Sequence, residues 1–165
     1  MKQFLSLLII AATSLLVSRL AVSAQGDLPL QYKFSDEEVN AAIARALNFI
    51  HKVTCDKNRL CEPATEMEKA TPPITREQAR IAMRTGAVSG ALEWCGSDWS
   101  NRAFAEMADR FIIKDKLNRR QWAILGVLHS EQLARHVVDL KATRRCTPQV
   151  KAGIEALIPE HKQQR

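Results

Sequence analysis

The sequence predicts an all-α protein, a compact and mainly antiparallel bundle of five helices stabilised by two disulfides. Three observations carry this. Apolar residues recur at three- and four-residue spacing with no sustained alternation, helix-start signals recur between them, and four cysteines stand in a chain that opens like an exported one.

The opening comes first. Met1 and Lys2 precede an apolar run from Phe4 to Val17, and Val22, Ser23 and Ala24 supply the small residues a signal peptidase reads. A stable bilayer span takes about 20 apolar residues, and Arg19 interrupts this run before that length. Residues 1–24 are therefore expected to be a cleavable signal peptide, leaving no stable membrane span after cleavage. The expected destination is periplasmic or secreted. Residues 25–34 form a short extended lead, 35–158 a single helical domain, and 159–165 a frayed tail.

Ser35 and Glu38 make a capping box, and Phe34 with Val39 makes the hydrophobic staple around it. Val39, Ile43, Leu47 and Ile50 follow at helical spacing, which predicts a first helix over about 36–53. Residues 54–74 are polar, contain three prolines and show no period, so they are expected to form a long loop.

Thr75 and Gln78 open a second helix over 76–95, with Ile81, Thr85, Val88, Leu92 and Cys95 as its buried stripe. Gly86 and Gly90 lie one turn apart in it. Each costs about 1 kcal/mol of helix propensity, a cost that makes sense where another helix crosses at close range. Gly96 stops this helix, and Ser97 or Asp98 caps a third over about 98–116, with Phe104, Met107, Phe111 and Trp99 inward. Asn118 and Gln121, inside a Leu117–Trp122 staple, open a fourth that runs to about Lys141. Its expected inner face is Trp122, Leu125, Leu128 or His129, Leu133, Val137 and Leu140. Thr147 caps a short fifth helix with Pro148 at its first position, carrying Val150, Ile154 and Leu157, and Pro159 is expected to end it.

An even cysteine count in an exported chain reads as disulfides, with Cys55–Cys61 and Cys95–Cys146 the favoured pairing of three. The first closes a local turn; the second ties the end of one helix to the start of the last. No closely paired cysteines suit zinc, and no cofactor is expected. Cys95 lies at a helix C-terminus, where a thiolate is disfavoured, so it is not read as a nucleophile.

The remaining candidates are few. Arg76, Arg80 and Arg84 stand at i, i+4 and i+8, a row that could meet an anion or a partner, with a solvated helix face as the favoured, plainer reading. His129 and His136 share a helix face two turns apart and are the candidate pH-sensing pair, with one expected half-buried and the other towards solvent. Trp94, Asp98, Trp99 and Trp122 are the candidate pocket, with a stapled core corner as the plainer alternative. The 24 Lys and Arg against 18 Asp and Glu give a net charge of +6, and no aromatic residues interleave with the basic ones. Nucleic acid is therefore not expected as a partner.

No hydrolytic, metal or phosphate-loop motif is present in the sequence. The chain reads first as a non-enzymatic binding or interaction protein of the cell envelope, using an interhelical groove or the loop 54–74 to hold an envelope protein or small ligand. A pH-responsive, chaperone-like stress protein is the second reading. A small hydrolase or lyase, its site assembled from Glu93, Asp98 and His129, is the third.

Overall fold

A computed structural model describes residues 33–163. The expected leader, most of the lead, the last two residues and the Leu157 side chain lie outside the described part.

Helix α1 is Asp36–Phe49, followed by a 3-10 turn, Ile50–Lys52. Its capping box is made: Ser35 Oγ accepts from the Glu38 amide at 3.2 Å, and Glu38 Oε2 accepts from the Ser35 amide at 2.8 Å. The stretch expected as a plain loop contains more order than its composition suggested. Strands β1 (Thr54–Asp56) and β2 (Arg59–Leu60) pair antiparallel around a turn in which Lys57 has a φ of 45°. The Cys55–Cys61 disulfide staples them, with a Cα separation of 4.9 Å. A short helix α2, Glu66–Ala70, follows with its own capping box from Thr65 and Glu68.

Helix α3, Arg76–Trp94, begins at the Thr75–Gln78 box. At its end Gly96 has a φ of 67°, and the Ser97 amide reaches back to the Leu92 carbonyl at 2.8 Å. That left-handed stop is one glycine adopts without steric cost. The third predicted helix differs in character. Two π-helical turns, Ser100–Phe104 and Asp109–Lys114, flank a single α-turn, α4 (Ala105–Ala108). Widening the turns lets Ala103, Met107 and Phe111 all be buried from so short a segment.

Helix α5, Arg119–Thr143, starts at the Asn118–Gln121 box and is the longest element described. Its staple residues, Leu117 and Trp122, both pack against the core. Helix α6, Pro148–Gln163, is capped by Thr147, whose hydroxyl accepts from the Val150 amide at 3.2 Å. The helix continues through Pro159, which corrects the expected stop and frayed tail. Proline removes one backbone donor, a loss that weakens a helix without compelling it to end. Cys95–Cys146 joins the end of α3 to the approach to α6 across 51 residues, with a Cα separation of 5.4 Å.

The core has two parts. The larger joins α1, the hairpin, the first half of α3, Met107, Phe111 and the first half of α5. The smaller joins Val88, Ala91 and Leu92 of α3 with Ala103, Leu140 of α5 and Ile154 of α6. The pair α3 and α5 runs through both and forms the spine of the molecule. No helix among the described residues is long and apolar enough to cross a membrane.

Candidate functional site

The arginine row is engaged within the chain. Arg76 Nη1 donates to Asp36 Oδ2 at 2.8 Å, and Arg80 reaches the other Asp36 oxygen, Glu77 and the Phe34 carbonyl. Both guanidinium groups therefore tie the start of α3 to the start of α1, while Arg84 is half-buried.

The spine explains the two histidines. A Cβ on Gly86 would collide with the His129 carbonyl and come within 2.9 Å of Gln132 Cβ. One on Gly90 would lie 2.7 Å from the Leu133 carbonyl oxygen. The glycines thus bring α3 and α5 into backbone-level contact, as their cost predicted. Against this seam lie Thr85, Ser89, His129, Gln132 and His136, all buried. His129 Nε2 is 2.9 Å from Ser89 Oγ, and His136 Nδ1 is 2.9 Å from the Gln132 carbonyl. Both histidines are buried, contrary to the expectation that one would face solvent; close approach of the backbones leaves their face of α5 no water to reach. Burial pushes the His129 pKa down to about 4, so its ring is neutral near pH 7. Gln132 Oε1 is buried without a hydrogen-bond partner.

The candidate pocket residues divide. Trp99 and Trp122 flank Phe104, with ring centroids 5.9 and 5.5 Å from it, and Phe104 and Trp99 stand 4.9 and 5.6 Å from the His129 ring. These rings cover the imidazole. Trp94 packs against the smaller core, as Trp99 also does. Asp98 caps the following turn, accepting from the Asn101 amide and side chain at 3.1 and 2.6 Å, bonds that hold its carboxyl below the usual range. Glu93 accepts from the Trp99 indole at 2.8 Å. Glu93, Asp98 and His129 are each bonded within the fold, to the Trp99 indole, to Asn101 and to Ser89, and Trp99 also lies against the His129 ring. Among the described residues, no group of three or more His, Cys, Asp or Glu side chains is placed to hold a metal.

Two features were not read from the sequence. One is Arg120, whose guanidinium binds both oxygens of Glu68 at 2.6 and 2.8 Å and the carbonyls of Glu62 and Pro63. This fork holds Glu68 at a pKa of about 2 and pins the chain between hairpin and α2 onto α5. The 54–74 segment is thus fastened down, by Arg120, by the disulfide, and by Gln121, which donates to the Pro73 carbonyl at 2.7 Å.

The other is a groove of about 540 Å³ between the end of α1 and the middle of α5. Phe49, Val53, Gly126 and Val127 give it apolar walls, and Arg45, Ser130 and Glu131 complete it. Phe49 is 47 % exposed there, too much for a residue serving only the core. The Arg45–Glu131 ion pair, at 2.7 Å, closes one end. Gly126 lies on its floor, and a Cβ built on it would meet nothing within 4 Å. Glycine in a helix interior costs about 1 kcal/mol against alanine, and here neither packing nor backbone conformation returns that cost. The one signal available in the sequence was Gly126 itself, a third helical glycine standing apart from the Gly86–Gly90 pair.

The chain matches no protein-family model, no curated protein and no solved structure.

Proposed function

We propose that this chain is an exported, non-enzymatic binding protein of the cell envelope, periplasmic or secreted, and that the α1–α5 groove is where it holds its partner. The carrying observation is Gly126: a helical glycine whose absent side chain leaves an apolar groove open and contributes nothing to the fold. Two disulfides with no free cysteine among the described residues suit an oxidising compartment, in keeping with the leader-like first 24 residues. The titratable groups that a hydrolase or lyase would need are each occupied in separate structural bonds, which favours binding over chemistry.

Two measurements test this. Intact mass of natively produced protein should show loss of residues 1–24 and of four hydrogens. A full-length species with free thiols would end the export reading. Capture from an envelope fraction under oxidising conditions should retain a partner on the wild-type chain and lose it on a folded Gly126→Leu variant. Equal retention would remove the groove from the proposal.

A second reading, an acid-responsive envelope protein, is favoured by one observation only: the neutral, buried His129 at the seam of the two longest helices fully described. Acid would charge it where no water can reach. If a dye for apolar surface stays dark down to about pH 3 while the bundle remains folded, that reading fails.

A further inference from the structure

The α1–α5 groove is short and bounded. One wall is Arg45, Phe49 and Val53, every fourth residue through the end of α1 and its 3-10 turn. The other is Gly126, Val127, Ser130 and Glu131 on α5. At 1.5 Å per residue the α5 wall is about 7.5 Å long and the α1 wall about 12 Å. At one end Arg45 reaches across from α1 to Glu131 on α5, so their ion pair bars the trough. At the other, Val53 packs against the core and leads into the hairpin, whose first strand itself contacts α5. Past Glu131 the exposed residues of α5 include Arg135 and Asp139, and the apolar floor stops. Granted that this groove is the binding site, we infer that its occupant is a small, uncharged, ring-sized apolar molecule.

Length argues against the longer occupants. Helix-in-groove recognition uses apolar anchors out to i+7, about 10.5 Å of helix axis, and a helix laid here would run onto the ion pair. A long acyl chain would overrun both ends. A compact ring system fits, because the groove's 540 Å³ falls inside the range of small-ligand sites, about 300–1,000 Å³. Phe49, Val53 and Val127 supply the apolar contact, and Gly126 leaves the floor space. The half-exposed Phe49 ring would gain cover.

Charge decides the rest. The lining holds one cation and one carboxylate, and Arg45 gives both Nε and Nη2 to Glu131 Oε1, at 3.0 and 2.7 Å. The two cancel. A charged ligand would shed its water and meet no surplus opposite charge in return. A neutral ligand bears no such cost, and the exposed Ser130 hydroxyl offers it one hydrogen bond.

Two fluorescent probes with the same rings test this on the whole protein. N-phenyl-naphthylamine is uncharged, and anilinonaphthalene sulfonate adds one negative charge. The amine should bind one per chain, at least about tenfold more tightly than the sulfonate, with an affinity that salt leaves unchanged. Gly126→Leu should cut the amine's affinity at least about tenfold by filling the floor, with helical circular dichroism unchanged. Phe49→Ser, which adds no bulk, should cut it several-fold and serves if leucine disturbs the fold. Glu131→Gln leaves Arg45 without its counter-charge and should bring the sulfonate's affinity up towards the amine's. Equal binding of both probes to the wild type would overturn the uncharged ligand. Amine binding that both groove variants leave intact would place the probe elsewhere and overturn the inference. If the amine does not bind while capture from the envelope fraction still depends on Gly126, the occupant is a protein: the inference falls and the groove stands. A wild-type dimer that Gly126→Leu renders monomeric would give the groove to a second copy of this chain and overturn the inference as well.

Discussion

Helix α5 presents two glycine-containing seams, and they behave oppositely. Facing α3, the glycines belong to the partner helix, Gly86 and Gly90, and the space they leave is filled by the backbone and Cβ atoms of α5. Facing α1, the glycine is α5's own Gly126, and the space it leaves stays open. The first seam is buried, polar inside and closed at one end by the 51-residue disulfide loop. The second is apolar, partly exposed and bordered by a hairpin whose disulfide spans only six residues. The difference separates a glycine used for packing from one whose only return is vacant space, which is how an interaction surface can be told from a core.

The largest expected effect lies at the closed seam. Replacing Cys95 and Cys146 together by serine should lower stability by about 4 kcal/mol on the chain-entropy model, against about 2 kcal/mol for Cys55 and Cys61. Chemical denaturation of the two double variants reads this, and equal losses would show that the two sides are not held so differently. Gly86→Ala should destabilise by about 3 kcal/mol, because its Cβ would meet the His129 carbonyl and the Gln132 Cβ, atoms that no side-chain rotation moves aside. A neutral result would mean that α3 and α5 are not in backbone contact.

Acid should act at the same seam. In the fold, burial holds the His129 pKa near 4 against 6.5 for the free side chain. The unfolded chain therefore takes the proton first. Stability contributed by the neutral ring is whole above about pH 6.5 and falls as pH drops towards 4, by about 3 kcal/mol in all. Melting curves between pH 7 and 4 should show that slope in the wild type and lose most of it in His129→Gln. Persistence of the full slope in the variant would assign it to other groups.

The smallest effect is the one of opposite sign. Gly126→Ala should raise stability by about 1 kcal/mol, since alanine restores helix propensity and its methyl enters open space. Destabilisation there would break the contrast between the seams and with it the case for the groove.

Much of the fold was legible because its signals are local. Ser35 with Glu38, Thr75 with Gln78, and Asn118 with Gln121 each form the expected capping box, since its partners stand three residues apart. The cysteine pairing followed from loop lengths, and the Gly86–Gly90 contact from a propensity cost that needed a reason. What escaped was non-local or marginal. Arg120 grips Glu68 and the Glu62 and Pro63 carbonyls from more than fifty residues away, a partnership that no spacing rule encodes. The Thr65–Glu68 box was present in the sequence but belongs to a five-residue helix without an apolar stripe, too short to register by period. The π-helical turns around Ala105–Ala108 arise from what their side chains must cover, not from their own composition.

By itself, the sequence determined where most helices begin and that the molecule is helical, and it favoured one of three cysteine pairings, because capping, periodicity and loop closure act over short stretches of chain. Only tertiary structure decided that Arg76 and Arg80 are bound to Asp36, that both histidines lose their water, and that a Cβ on Gly126 would meet nothing within 4 Å. Whether a side chain is spent within the fold or left for a partner depends on what lies across from it. Residues far apart in the chain fix that, through space.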